Sequence, residues 1–401
     1  MDLLQRLVPE LSGELRNDIL PFWQRMMDLE HGGFYGRMDG NGILYPEAPK
    51  GVVMHGRILW TFSAAYRLFG DLSYLETARK ACSFLLRYFY DPEYGGVYWS
   101  LHADGTPLDT KKQFYGLSFV IYGLSEYYRA TGDRDSLRYA ILLYEAIETH
   151  SFDPHYGGYF EAADRCWNLL EDMRLSDKDA NERKTMNTHL HILEAYTNLY
   201  RVWPDSGLRS KLADLVRLFL DRLLLPATGH LGLFFDEYWN DRSRGICSYG
   251  HDIEASWLLF EAAEILEDVS LMQEVHHSTL VLAHAALEGL MSDGSMAYEG
   301  DGDGVVDSER HWWVQAETVV GLYYLYAFHG ENRAGSALLK TWQYIKDHLI
   351  DRQSGEWFWS IRDTGAVNRE DDKAGLWKCP YHNGRMCLEL LVQLENRPER
   401  R

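Results

Sequence analysis

Apolar and polar positions follow two periods along this chain, and the switch between them recurs. Apolar runs with helical spacing include Gly56-Arg-Ile-Leu-Trp-Thr-Phe-Ser-Ala-Ala-Tyr-Arg-Leu-Phe and Tyr115-Gly-Leu-Ser-Phe-Val-Ile-Tyr-Gly-Leu-Ser-Glu-Tyr-Tyr. The same pattern restarts at Asn187, His251, Val314 and His382. Each such run is the first helix of a pair, and its follower is more amphipathic, as in Tyr74-Leu-Glu-Thr-Ala-Arg-Lys-Ala-Cys-Ser-Phe-Leu-Leu. A helix apolar on nearly every side is buried, whereas one with a single apolar stripe is peripheral. Between the pairs stands a glycine-plus-aromatic turn: His31-Gly-Gly-Phe-Tyr, Tyr94-Gly-Gly-Val-Tyr-Trp and Tyr156-Gly-Gly-Tyr-Phe. It returns as Gly229-His-Leu-Gly-Leu-Phe-Phe, Asp293-Gly-Ser-Met-Ala-Tyr and Ser354-Gly-Glu-Trp-Phe-Trp. Alternation after the glycine predicts a short hairpin. The period, about 60 to 75 residues, suits a two-helix unit with loops.

Six pairs with one buried and one peripheral member predict a closed double ring, an (α/α)6 barrel of six inner and six outer helices with short β-hairpins in the loops. An open solenoid is the alternative, but no unit has the polar face that a terminal cap requires. No linker divides the chain, so residues 1–401 are expected to form one catalytic domain. The long polar loop from Asp164 to Lys184 is placed to cover the barrel mouth. Glu299-Gly-Asp-Gly-Asp-Gly lacks the glutamate a calcium loop needs and predicts a turn.

The inner helices share stop signals: Gly70-Asp71, Gly132-Asp133, Pro204-Asp205, Glu267-Asp268, Gly330-Glu331 and Glu395-Asn396. About fourteen residues before each lie Arg57, Phe119, His191, Glu254, Glu317 and His382, and equivalent positions of a helix ring converge on its axis. Asn187 and His251 lie one turn before His191 and Glu254. The pattern therefore predicts one arginine, three histidines and two glutamates clustered where the inner helices begin. Burying so many ionisable groups costs free energy unless they pair or perform a function. His189, two residues from His191, points to nearly the opposite side and is expected to pack. His276-His277 falls on an outer helix and is expected at the surface.

Two imidazoles approaching a substrate from different helices suit the movement of a carbon-bound proton, since one takes a proton while the other gives one. A guanidinium such as Arg57 stabilises a developing enediolate, and Trp312, Trp313, Trp377 and Tyr381 offer faces for sugar rings. The chain has 13 Trp and 26 Tyr, an excess that suits carbohydrate sites and also fills large cores. A net charge of -20 argues against nucleic acid and anionic membranes. No metalloprotease, serine-hydrolase or phosphate-loop motif is present, and neither cofactor nor metal is expected. Five scattered cysteines without a C-x-x-C pair, no signal-peptide pattern and no long apolar run point to a reduced, cytoplasmic protein.

The runs Asn187-Thr-His-Leu-His-Ile-Leu-Glu-Ala-Tyr, Tyr249-Gly-His-Asp-Ile-Glu-Ala-Ser-Trp-Leu, Trp312-Trp-Val-Gln-Ala-Glu and Gly375-Leu-Trp-Lys-Cys-Pro-Tyr-His-Asn-Gly-Arg resemble the N-acylglucosamine 2-epimerase superfamily. The resemblance spans essentially the whole chain, and is strongest to its cellobiose 2-epimerase branch. It implies that His251 and His382 exchange the C2 proton of a reducing-end glucose through a cis-enediol. Arg57 would stabilise the enediolate, and His191 would assist ring opening or positioning. Asn187, Glu254, Glu317, Trp313, Trp377 and Tyr115 would bind substrate or support the histidines. Cellobiose, lactose and mannobiose are the implied substrates, handled by a monomer or alternatively a dimer.

Three rivals stand beside this expectation. A monosaccharide isomerase or 2-epimerase of the same fold would share the histidines. An (α/α)6 glycoside hydrolase would use Glu254 and Glu317 as acid and base. A non-catalytic sugar-binding protein would exchange no C2 hydrogen.

Overall fold

The computed structural model describes residues 4–176 and 179–395. Its helices are α1 (Leu7–Glu14), α2 (Leu20–Arg25), α3 (Val52–Phe69), α4 (Leu72–Phe84), α5 (Phe114–Thr131), α6 (Arg134–His150) and α7 (Met186–Val202). They continue as α8 (Ser206–Leu218), α9 (Tyr249–Leu266), α10 (Val269–Ala286), α11 (Trp312–Ala327), α12 (Asn332–Tyr344) and α13 (His382–Glu395). Helices α3, α5, α7, α9, α11 and α13 pack against one another in that order, and α13 returns to α3. The architecture is an (α/α)6 barrel. Nearly every residue of α3, α5 and α11 is buried, whereas α6 and α8 bury only one stripe, as their polarity patterns require. No helix among the described residues is long and apolar enough to cross a membrane.

The sixth pair departs from the sequence expectation. Helix α13 finds its outer partner in α1, from the other end of the chain. Indole N–H groups bridge this seam: Trp342 donates to Glu10, Trp357 to Glu14 and Trp23 to Glu356. Asn396, used above as a stop signal, lies outside the described residues.

The stop signals work by capping at both ends. Gly70 and Gly132 take left-handed φ of 68° and 73° at the ends of α3 and α5, where a side chain would be strained. Asp71, Asp133, Asp205 and Asp268 then accept backbone N–H groups at the starts of α4, α6, α8 and α10, supplying partners that helix N-termini lack.

Each glycine turn closes a small antiparallel bridge: Met27 with Phe34, Tyr90 with Val97, Phe152 with Tyr159, Leu224 with Leu231, Leu290 with Met296, and Ile350 with Trp357. In four turns an aspartate (Asp28, Asp91, Asp153 or Asp351) accepts two backbone N–H groups with one oxygen. Its other oxygen takes a buried lysine ammonium, from Lys50, Lys112, Lys184 or Lys373 respectively. Leu225 and Met291 occupy the corresponding place in the other two turns. Residues 299–301 and 304–307 form a hairpin, as expected for the Gly-Asp-Gly-Asp turn.

A second device joins hairpins to inner helices. His55 and His189 bond a carbonyl one turn back through Nδ1, and Nε2 accepts the backbone N–H of Phe34 or Tyr159. Asp252 accepts from Leu231 N–H and Gln315 from Met296 N–H, while Asn383 reaches its hairpin through Glu356. His189 is thus a packing histidine, as its spacing from His191 predicted. Burial holds its pKa down at about 4, so it stays neutral.

Candidate active site

Counting two residues onward from His55, His189, Asp252, Gln315 and Asn383 gives Arg57, His191, Glu254, Glu317 and Arg385. One residue back from Asp252 and Asn383 lie His251 and His382. The sequence alignment therefore placed the last helix one turn out of register. His382 is the counterpart of His251, and Arg385 completes the ring with Arg57, Phe119, His191, Glu254 and Glu317. The sixth outer helix is α1, which precedes the inner helices in sequence, so no inner-to-outer turn marks the end of α13 as Gly70-Asp71 marks that of α3.

The two corresponding histidines pack against Trp313, which α11 contributes between α9 and α13. The His251 and His382 ring centroids lie 4.8 and 5.5 Å from the indole of Trp313. Ring closure thus brings together imidazoles 131 positions apart in sequence, and they are backed differently. His382 Nδ1 meets Glu317 Oε1 at 2.7 Å; His251 Nδ1 meets the Ser248 hydroxyl at 2.8 Å. A third histidine, His191, meets Glu194 Oε2 through Nδ1 at 2.9 Å. Among the described residues no protein group bonds Nε2 of any of the three.

Burial is the largest influence on all three imidazoles and lowers their pKa. His251 falls to about 3, with the neighbouring His191 adding to the effect. Arg57 and Arg385 press His382 further down. All three are therefore neutral at pH 7, the state a general base requires.

Beneath the histidines lies a charge network. Arg385 Nη1 donates to Glu194 Oε1, and its Nη2 donates to Glu254 Oε1 at 2.6 Å and Glu317 Oε1 at 2.7 Å. Trp257 Nε1 donates to the other Glu317 oxygen at 3.0 Å. Burial pushes Glu194 up, but the Arg385 guanidinium and His191 outweigh it and hold that carboxyl at about 2. Burial and repulsion from Glu317 drive Glu254 up to about 8. Its Oε2 is closed off without a partner, and such an oxygen is less costly as O–H than as O⁻. Burial raises Glu317 as well, but its oxygens accept three N–H donors, so Glu254 is the member of the pair that carries the proton.

Glu254 and Glu317 were expected to contact substrate or support the histidines; Glu317 bonds His382, and Glu254 bonds Arg385. They are 1% and 0% exposed, under the histidines rather than on the cavity wall. The cluster Glu254, Glu317 and His382 brings ligand-type atoms within 4.8 Å of one another. The Arg385 Nη2 bonded to both carboxylates already puts a cation among them.

Arg57 is anchored by the Tyr115 hydroxyl at 2.8 Å and the Trp377 carbonyl at 3.2 Å, and stacks on Phe119 and Tyr381. Tyr115 therefore holds Arg57, and Trp377 remains half-buried beside it. Two aromatic expectations fail. Tyr381 is fully buried with its hydroxyl on Glu194, and Trp312 packs on Trp359 over the Lys378 ammonium. Tyr381 lies inside the ring, closed in by Phe119, Tyr122 and the two arginines, and Trp312 is packed away from the cavity, so neither offers a face to a sugar.

A cavity of about 690 Å³ opens at His251. Asn187, Ser248 and His251 reach it, together with Tyr298, His311 and Trp359. Met173, Arg174, Leu175, Asp179, Ala180 and Glu182 line it from the long loop, which does cover the mouth; residues 177–178 lie outside the described part. His382, His191, Arg57 and Trp313 lie behind His251, off this lining, and are between 2 and 9% exposed. Sequence reasoning missed Ser248, Glu194 and Arg385, although each sits three residues from a site histidine. Helical three-residue spacing in otherwise apolar runs was the available signal.

Comparison with known proteins decides the family. The N-acylglucosamine 2-epimerase (GlcNAc 2-epimerase) family model matches residues 33–384. The chain belongs to that family. It is 56% identical over 387 residues to the cellobiose 2-epimerase of Bacteroides fragilis, covering 96% of this chain and 98% of the relative. The cellobiose 2-epimerase of Ruminococcus albus is 39% identical, covering 96% and 99%. The solved structure of cellobiose 2-epimerase from Bacillus thermoamylovorans superposes with a TM-score of 0.91 at 40% identity, covering 97% of this chain and 99% of that one. Kinship over the full length with carbohydrate epimerases removes the non-catalytic sugar-binding reading.

Proposed function

We propose that the chain is a cellobiose 2-epimerase. It would interconvert glucose and mannose at the reducing end of β-1,4-linked disaccharides, with lactose and mannobiose as further substrates. One observation carries the chemistry: two neutral histidines, equivalent in two sectors of the ring with α11 between them, pack against one indole and leave Nε2 unbonded.

In this reading the open-chain aldehyde lies over Trp313, with its oxygen toward Arg57. One histidine takes the C2 proton through Nε2 while the C1 oxygen becomes an enediolate, which Arg57 stabilises as charge develops. The other histidine takes a proton from water at Nε2 as the enediolate charge develops and delivers it to the opposite face of C2, ending neutral. The first histidine then returns its proton to water, so configuration inverts and the atoms balance. Glu317 behind His382 stabilises the imidazolium when that ring holds the proton. Ser248 lets His251 exchange tautomers, because a hydroxyl both donates and accepts. His191, with Asn187 at the cavity edge, is placed to assist ring opening, and Trp377 to hold a sugar unit. The acidic charge and scattered unpaired cysteines support a cytoplasmic location. A monomer is part of the same proposal, and size-exclusion chromatography tests it.

The deciding experiment is incubation with cellobiose in deuterium oxide, followed by sugar chromatography and NMR. Glucosyl-mannose labelled at C2 is expected from the wild type, with no label from His251→Ala or His382→Ala. Unchanged cellobiose sinks the proposal. Turnover of mannose instead favours the monosaccharide rival, and release of glucose the hydrolase.

A further inference from the structure

We propose that Arg385 is a positioning residue that sets the tautomers of His191 and His382 together, through carboxylates drawn from two inner helices, α7 and α11. The inference rests on the epimerase reading for its kinetic consequence, but not for its structural one. The geometry is a single chain of contacts: His191 Nδ1 to Glu194, Glu194 to Arg385, Arg385 to Glu317, and Glu317 to His382 Nδ1. Two histidines from α7 and α13, otherwise independent, share one guanidinium. The guanidinium plane is held between Trp257 and Tyr381, 4.6 and 4.2 Å from their ring centroids. It is 2% exposed, so water contributes little to its solvation.

A guanidinium donates from every nitrogen and accepts nothing. On Glu317 the oxygen that Arg385 touches is the one His382 meets, and it is kept as an acceptor. On Glu194 the guanidinium takes Oε1 while His191 and the Tyr381 hydroxyl meet Oε2, and the charge that keeps this carboxyl ionised makes both its oxygens acceptors. Both histidines then present N–H at Nδ1. Nε2 is then the lone-pair nitrogen, the one without a protein partner. The groups facing this network are Arg57 from α3, His191 and Glu194 from α7, His251 and Glu254 from α9, and Glu317 from α11. Tyr381, His382 and Cys379 complete it. Phe119, Tyr115 and Tyr122 from α5 add no charge at pH 7. With Glu254 neutral, Arg57 and Arg385 balance Glu194 and Glu317. Without Arg385, three carboxyl groups would compete for protons in a dry site, and a protonated Glu194 or Glu317 would offer O–H to its histidine. Nδ1 would become the acceptor and Nε2 would lose its lone pair, on both histidines at once.

The test reads tautomers directly by 15N NMR of histidine-labelled protein without sugar. In the wild type, His191 and His382 should both show protonated Nδ1 and unprotonated Nε2 at pH 7. Arg385→Gln should disturb both patterns together, lower kcat for cellobiose by about 100-fold as charge-assisted bonds are lost, and leave KM within about threefold. Arg385→Lys, which keeps the charge but not the fork, should restore the wild-type tautomer of at least one histidine and part of kcat. A purely structural role would lower the melting temperature and leave the tautomers of the folded fraction unchanged, which would overturn the proposal. So would wild-type spectra with Nε2 protonated on either ring, a result available even if every variant fails to fold. Correct tautomers in a protein inert toward cellobiose would refute the epimerase reading and leave this one standing.

Discussion

Replacing Glu317 by glutamine changes no atom count and little volume, yet it should cripple the site. Glu317 accepts three N–H donors: His382 Nδ1 and Arg385 Nη2, each at 2.7 Å from Oε1, and Trp257 Nε1 at 3.0 Å from Oε2. A carboxylate satisfies all three, whereas a glutamine side chain has one acceptor and one donor end. If its oxygen faces His382 and Arg385, its NH2 opposes the indole N–H. If it is flipped, its NH2 opposes both an imidazole and a guanidinium. Either orientation leaves a buried donor unmatched, and the charge behind His382 is gone. A charge-assisted hydrogen bond contributes about 1.5–3 kcal/mol. Expressed in the transition state, where His382 is becoming an imidazolium, that is about 10- to 150-fold in kcat. The assay is deuterium incorporation at C2 of cellobiose, with a melting curve to show that the variant folds. A folded Glu317→Gln enzyme whose kcat stays within twofold of wild type would refute the assignment of Glu317 as the partner of His382.

Four further outcomes follow from the geometry. Ser248→Ala removes the partner of His251 Nδ1 and should lower kcat by about 2- to 12-fold, the worth of one neutral hydrogen bond, without changing the melting temperature. Lys184→Met strands Asp153 in its turn, where the ammonium sits 2.7 Å away; breaking a buried pair costs about 3–5 kcal/mol, readable as a lower denaturation midpoint. Glu267→Gly should stabilise, because Glu267 holds a left-handed φ of 53° where α3 and α5 end in glycine; a gain of about 1 kcal/mol in urea unfolding is expected. Glu14 sits at the seam between α1 and α13, and burial, then Asp18, raises its pKa to about 8. The folded protein thus binds the proton more tightly than the unfolded one. Stability from this group is full below the unfolded carboxyl pKa and declines as pH rises toward 8. Glu14→Gln should flatten that decline in melting temperature between pH 5 and 8, and an unchanged slope would refute it.

The barrel was legible because its repeat is written twice, in the helix pairs and in the glycine turns, and the two records agree. The same redundancy fails at the seam. There the sixth inner helix pairs with an element from the other end of the chain, and no local pattern announces a partner more than 300 residues away. Hence the one-turn slip that put His382 in Arg385's place. Individual site residues were legible where a polar side chain interrupts an apolar run. Their roles were less so, since Tyr381 and Trp313 look alike in sequence and differ in structure by their neighbours: Tyr381 is closed in among Phe119, Tyr122 and the two arginines, whereas Trp313 lies against His251 and His382. The Asp–Lys turn clamps were missed because acid and base lie 21 to 31 positions apart, far beyond helical spacing.

The hydrolase rival turns on the same pair of carboxylates. A glycosidase needs two carboxyl groups on opposite sides of a scissile bond, both open to the sugar, about 5–9.5 Å apart. Glu254 and Glu317 instead share one nitrogen of Arg385, at 2.6 and 2.7 Å, and both are closed to the cavity. Neither can reach a glycosidic oxygen without breaking the guanidinium bridge and exposing a second charge. The member of this cluster that lines the cavity is the His251 imidazole, with His382 against the same indole; neutral at pH 7, such rings take a proton from carbon and are poor donors to an acetal oxygen. Buried carboxylates locked on arginine, with neutral histidines above them, direct proton transfer to an acidic C–H beside a carbonyl rather than to a bond between sugars. In this barrel, then, the choice between cleaving a disaccharide and inverting one of its carbons is made by which ring of side chains meets the cavity, and the decisive residue is the arginine that keeps the carboxylates below.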